Sequence, residues 1–131
     1  MNANEKAVAD VLAKYEKALN DSSTADVMRL YAPDGVFMPQ HSPSSVGEDA
    51  VRHAYDAVFN TITLKVKFNV AEIQELSPQW VLARTNSAGT TKIHATGKEQ
   101  PEANQELFLF QNVDGHWKIG RYCFSTTNPP H

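Results

Sequence analysis

The sequence predicts an α+β domain in which helices gather on one face of a bent sheet. Three observations carry this. The apolar residues of the first 60 positions recur at helical spacing, from Thr63 onward the period drops to two, and Asp114-Gly115 separates two strongly apolar runs as a tight hairpin turn. Helices first and long antiparallel strands afterwards is the element order of such a domain, rather than of alternating βαβ units.

Each element follows from its own pattern. After Asn4 as a cap, Val8, Val11, Leu12, Tyr15 and Leu19 form one stripe, with Lys6, Lys14, Glu16 and Lys17 off it. Ser23 with Asp26 resembles a capping box, and Val27, Leu30 and Tyr31 give a short second helix that Pro33 stops. Gly35 to Pro39 reads as a brief strand and "QHSPSS" as a loop. Gly47 then precedes Glu48 and Asp49, a first turn suited to the positive end of a helix dipole. Val51, Ala54, Tyr55, Val58 and Phe59 make its apolar face. Leu64, Val66, Phe68 and Val70 alternate with Lys65, Lys67 and Asn69, but Ile73 and Leu76 fall out of phase, which predicts a bulge near residues 71 to 72. A strand from Trp80 to about Ala88 continues past a bend at Gly89 to Thr96, "GKEQPEANQ" reads as a connection, and Glu106 to Val113 pairs with Trp117 to Ser125. No repeat, low-complexity tract or linker interrupts the chain, so residues 1–131 are read as one domain.

Bulk properties narrow the function. A formal net charge of -3, with 12 Lys and Arg scattered along the chain, supplies no basic field for nucleic acid or acidic membranes. No stretch approaches the ~18 apolar residues of a membrane span, and the expected compartment is cytoplasmic. The single cysteine, Cys123, lies among apolar strand residues and reads as a small buried hydrophobe. His41, His53, His94, His116 and His131 show no metal-ligand spacing, so neither metal nor cofactor is expected.

The hairpin strand "ELFLF" is apolar on both faces: Leu107 and Leu109 point one way, Glu106, Phe108 and Phe110 the other. Three helices cover one face only. The other is expected to meet a second copy of the chain in a two-fold dimer, the alternative being a sheet folded over on itself.

The helix pair running into "LYAPDGVFMP", the helix "GEDAVRHAYDAVF", the stretch "RTNSAGT" and the closing "ELFLFQNVDGHWKIGRYCF" together resemble the nuclear transport factor 2-like superfamily. Within it the chain is similar to the SnoaL-like and ketosteroid-isomerase-like small proteins of the SgcJ/EcaC type, over roughly residues 4 to 127. The resemblance implies a cystatin-like cone: a strongly curved antiparallel sheet of about four to six strands, three N-terminal helices on its concave face, an apolar pocket between them and usually a dimer. The superfamily hosts isomerases, cyclases, hydrolases, dehydratases and non-catalytic binders.

In the steroid isomerases a phenol on the first helix and a protonated acid on a late strand stabilise an oxyanion. Tyr15 stands at the phenol's place and Glu106 at or next to the acid's. The family's general-base carboxylate belongs on the first strand, where this chain has Pro39 or Gln40 and no acid between Gly35 and Val46. SnoaL-type cyclases carry an acid on the last strand, and "KIGRYCFST" has none. Arg84-Thr85-Asn86 is similar to the Arg-x-Asp pair of limonene-epoxide-hydrolase relatives, with an amide in place of the acid.

Three roles stay open for Glu106: an ion pair with Arg84 or Arg121 that holds strands in register, a polar contact to a ligand, or proton transfer by a carboxyl whose charged form is disfavoured by burial. Tyr15 and Tyr122 are either core residues with one satisfied hydroxyl or hydrogen-bond donors to a ligand. In the cone, Phe37, Phe59, Phe108 and Phe124 line the pocket, and Gln40, Arg84, Asn86 and Tyr122 supply polar contacts. The function expected is binding of a small cyclic or aromatic compound, either by a cofactor-free isomerase, cyclase or hydrolase acting through Glu106 and Tyr15, or by a non-catalytic carrier. A third reading is an association module.

Overall fold

The structure is a computed structural model that describes residues 1–129. His131 therefore lies outside the described residues. Helix α1 spans Ala3–Asn20, α2 Thr24–Met28 and α3 Glu48–Thr61; the strands are β1 Tyr31–Met38, β2 Ser45–Val46, β3 Ile62–Ser77, β4 Trp80–Ile93, β5 Glu99–Val113 and β6 His116–Thr126. They form one curved, open sheet in the order β2-β1-β6-β5-β4-β3, with the helices toward the N-terminus. No helix is long and apolar enough to cross a membrane.

Most elements fall where the pattern puts them. Helix α1 buries Val8, Leu12, Tyr15, Ala18 and Leu19, and α3 buries Val51, Tyr55 and Phe59. The phase change in β3 is a register shift against β4 between Val70 and Glu72, which brings Ile73 back into phase opposite Ala83. Asp114 and Gly115 turn the last hairpin with φ of 51° and 84°, the two left-handed residues that a tight turn with the strands' own twist demands.

Four expectations are corrected. The cap of α1 is Asn2, whose side chain accepts from the backbone N–H of Glu5 while Glu5 accepts in return. Asn4 instead donates to Glu75 Oε1 at 2.6 Å. The second helix ends at Met28, and Tyr31 to Pro33 open β1; Pro33 is tolerated because the pairing of β1 shifts register between Tyr31 and Val36. The sheet is mixed rather than antiparallel throughout, since β1 lies parallel to β6. Finally, "EQPEANQ" is strand: β5 starts at Glu99, and Pro101 fits because pairing with β6 begins only at Asn104, so no ladder partner needs the N–H that proline lacks. Gly89 does not end β4. A Cβ there would sit 1.9 Å from the Lys65 carbonyl oxygen, so glycine lets β3 and β4 run past it in close contact.

The core lies between the helices and the concave face of the sheet. On β5 the inner residues read Glu102, Asn104, Glu106, Phe108, Phe110, polar at one end and aromatic at the other. Phe108 and Phe110 are fully buried, and Phe108 stacks on Tyr122 with ring centroids 4.1 Å apart. Burial of aromatic area of this size is the main stabilising contribution at this point. Leu107 faces out and is 40% exposed, opposite half-buried Cys123.

Candidate functional site

At the polar end of that face is a cavity of about 140 Å³. Tyr15 and Leu19 come from α1, Tyr55 and Val58 from α3, Phe37 from β1, Val66 and Phe68 from β3, and Tyr122 and Phe124 from β6. Strand alternation brings Ser87 of β4 and Glu102, Asn104 and Glu106 of β5 into the same wall. A mostly hydrocarbon hollow of this size accommodates a single benzene-sized ring.

Glu106 is the one buried carboxylate among the described residues, 5% exposed. Thr85 Oγ1 donates to its Oε1 at 2.7 Å and Ser87 Oγ to its Oε2 at 2.5 Å. Burial pushes its pKa above the ordinary 4.5; the Ser87 and Thr85 hydroxyls pull it back in part, and the charge of Glu102 pushes it up. The ion-pair reading of Glu106 is overturned. Arg84 lies on the outer face, where its Nε donates to Glu72 Oε1 at 2.5 Å, and Arg121 donates to the carbonyl oxygens of Asp34 and Gly120. The physical reason is register: Arg84 stands opposite Leu107, and Thr85 opposite Glu106.

Across the cavity three phenols form a chain. Tyr55 Oη lies 2.6 Å from Tyr15 Oη and 2.7 Å from Tyr31 Oη. Burial raises the pKa of each of the three, and of Tyr122, so all remain neutral donors at ordinary pH. Either hydroxyl of each pair can donate, and Tyr122 adds a further phenol beside Tyr15, so the cavity wall carries a connected set of hydroxyls in which each bond polarises the next.

The structure brings Tyr15, Phe37, Glu106, Tyr122 and Phe124 together in the cavity wall. Phe108 lies beneath Tyr122, and Phe59 packs against the Tyr55 ring at 6.1 Å; neither reaches the lining. Asn86 is exposed on the outer face beside Arg84, and Gln40 lies past the end of β1 in a neighbouring cleft. The described histidines join no cluster of three or more His, Cys, Asp or Glu side chains.

Sequence reasoning did not single out Thr85, Ser87, Tyr31, Tyr55 or Glu102. For the first two a signal existed: in "RTNSAGT" they share the parity of Val81 and Ala83, the buried face of β4. The phenol chain has no local signature, because it joins α1, α3 and β1.

An open curved sheet carrying three helices over a cavity is a fold shared with nuclear transport factor 2-like proteins. A Salmonella enterica serovar Typhimurium LT2 protein of that superfamily superposes with a TM-score of 0.83 at 12% identity, over 97% of this chain and 93% of its own. The chain belongs to the SnoaL-like domain family, whose model matches residues 8–129. A ketosteroid isomerase-like protein from Erwinia carotovora atroseptica SCRI1043 is 32% identical, with a TM-score of 0.94 over 98% of this chain and all of that one. A provisionally named scytalone dehydratase from Novosphingobium aromaticivorans DSM 12444 shares the fold at 17% identity, TM-score 0.80, over 94% of this chain and 83% of that one. No curated protein matches the chain.

Proposed function

We propose that the protein binds a small cyclic or aromatic molecule in the cavity and presents it with the carboxyl of Glu106 and a phenol from Tyr15. The observation that carries this is the buried Glu106, without a cationic partner among the described residues, opening onto an aromatic hollow. A protonated carboxyl there donates to a ligand oxygen, and the Tyr15 hydroxyl stabilises negative charge that develops on it. This is the cofactor-free isomerase, cyclase or hydrolase reading. The carrier reading is favoured by one specific feature, Pro39 and Gln40 in place of a base at the end of β1.

Cyclohexanone as a probe tests both. A carbonyl oxygen accepts from Glu106 only while the carboxyl keeps its proton, so affinity is expected to fall as pH rises through the Glu106 titration. It should stay flat in Glu106→Gln, which cannot ionise. A flat wild-type profile contradicts the reading. In deuterated water, exchange of the ring α-protons catalysed by the protein marks an enzyme, and binding without exchange marks a carrier.

The outer face supports self-association. Leu107 and Met38, 40% and 36% exposed, both stand opposite Cys123 on the outer surface of the sheet, and a second copy related by a two-fold axis would cover such a face. Sedimentation at micromolar concentration should give a dimer mass. The unpaired cysteine suits a reducing compartment such as the cytoplasm.

A further inference from the structure

Beside the cavity lies a second, larger cleft of about 760 Å³, walled by the loop after β1, the start of β5 and the residues after β6. Three segments lead from one space to the other. Pro39 lines the cavity and Gln40 the cleft; Phe124 lines the cavity and Thr126 the cleft; on β5, Asn104 lines the cavity, Gln100 the cleft, and Glu102 both. Glu102 is thus the junction.

The cleft differs from the cavity in chemistry. Gln40 is committed at both ends of its amide: Oε1 accepts the Thr126 N–H, and Nε2 donates to His41 Nε2 at 2.7 Å. The His41 backbone holds a left-handed φ of 64°, a position uncommon for a non-glycine residue and fixed here beside the site. Glu102 is half-buried. Thr91 Oγ1 donates to its Oε2 at 3.2 Å, while among the described residues its Oε1 receives no hydrogen bond. The described lining therefore presents one carboxylate with a free oxygen and no Lys or Arg to match an anion.

We infer that cavity and cleft form one two-part site, taking a monocyclic ring in the cavity and a short amine-bearing arm that reaches Glu102 and runs into the cleft. The inference rests on the ring-binding reading above and adds the substrate class. Asn104 and Glu102 are two residues apart on one strand face, about 7 Å, which a two- or three-atom arm and the hydrogen bond at its end together span. A carboxylate or phosphate on that arm would meet Glu102 with like charge and no Lys or Arg among the described lining.

The test titrates the full chain with ethylbenzene, 2-phenylethylamine and 3-phenylpropionate, following amide shifts around the cavity by NMR. The amine is expected to bind roughly tenfold more tightly than ethylbenzene, through a charge-assisted hydrogen bond, and the carboxylate more weakly than either. In Glu102→Gln the amine-to-ethylbenzene ratio should fall toward one. An amine preference that is absent, or that survives in Glu102→Gln, overturns the inference while ring binding stands. Failure of ethylbenzene itself to bind overturns the ring-binding reading and this inference with it.

Discussion

Glu106 and Glu72 stand on opposite faces of one sheet, and each meets β4, at Thr85 and at Arg84 respectively. On the outer face Glu72 takes a guanidinium, and both partners stay largely hydrated, their side chains 42% and 55% exposed. On the inner face Glu106 takes two hydroxyls and no cation among the described residues, and burial disfavours its charge. One residue of register along β4 separates a charge that is matched from one that is held in reserve. The outer pair is worth little to stability and nothing to the cavity. The inner carboxyl opens onto the aromatic cavity, and burial raises its pKa.

The contrast can be broken from the inside first. Phe108→Ala removes a fully buried ring stacked between Tyr122 and Phe110, and should cost about 3–5 kcal/mol in a denaturant melt. Tyr55→Phe deletes the middle hydroxyl of the phenol chain, leaving Tyr15 and Tyr31 each short of a partner, and should cost about 1–3 kcal/mol with the fold retained. Ser87→Ala takes one donor from Glu106 and should cost about 1 kcal/mol. Because that hydroxyl lowers the Glu106 pKa, its loss should raise it further. The linkage sign follows: a carboxyl with a raised native pKa binds more protons folded than unfolded, so stability falls as pH rises from 4.5 through the native value. Ser87→Ala should extend that decline to higher pH, and Glu106→Gln should abolish it. On the outside, Arg84→Ala should cost less than about 1 kcal/mol, with the difference shrinking further in high salt.

What the sequence discloses and what it withholds divide along the same lines. Local patterns were legible: the stripe Val8, Leu12, Tyr15, Leu19, the bulge near Glu72, the Asp114-Gly115 turn and the parity that sends Glu106 inward with Phe108. Features set by pairing between distant segments were not. Tyr31 to Pro33 look like the tail of a helix until β6 offers Ile119 opposite Tyr31, and Pro101 looks like a loop residue until β4 places Thr90 opposite it. The same limit applies to the site. Glu106, Tyr15 and the aromatic lining could be read from periodicity and resemblance, whereas the partner of Arg84 depended on the cross-strand register, and the chain Tyr15–Tyr55–Tyr31 on three elements meeting.

The central claim is that desolvation, outweighing two hydroxyl donors, keeps the Glu106 carboxyl protonated above the ordinary range. Carboxyl-carbon NMR titration of the wild-type protein, with Glu106→Gln to assign the signal, measures this directly. The account predicts a midpoint above 4.5. A midpoint at or below that value would mean the carboxylate is stabilised as an anion, and would contradict it.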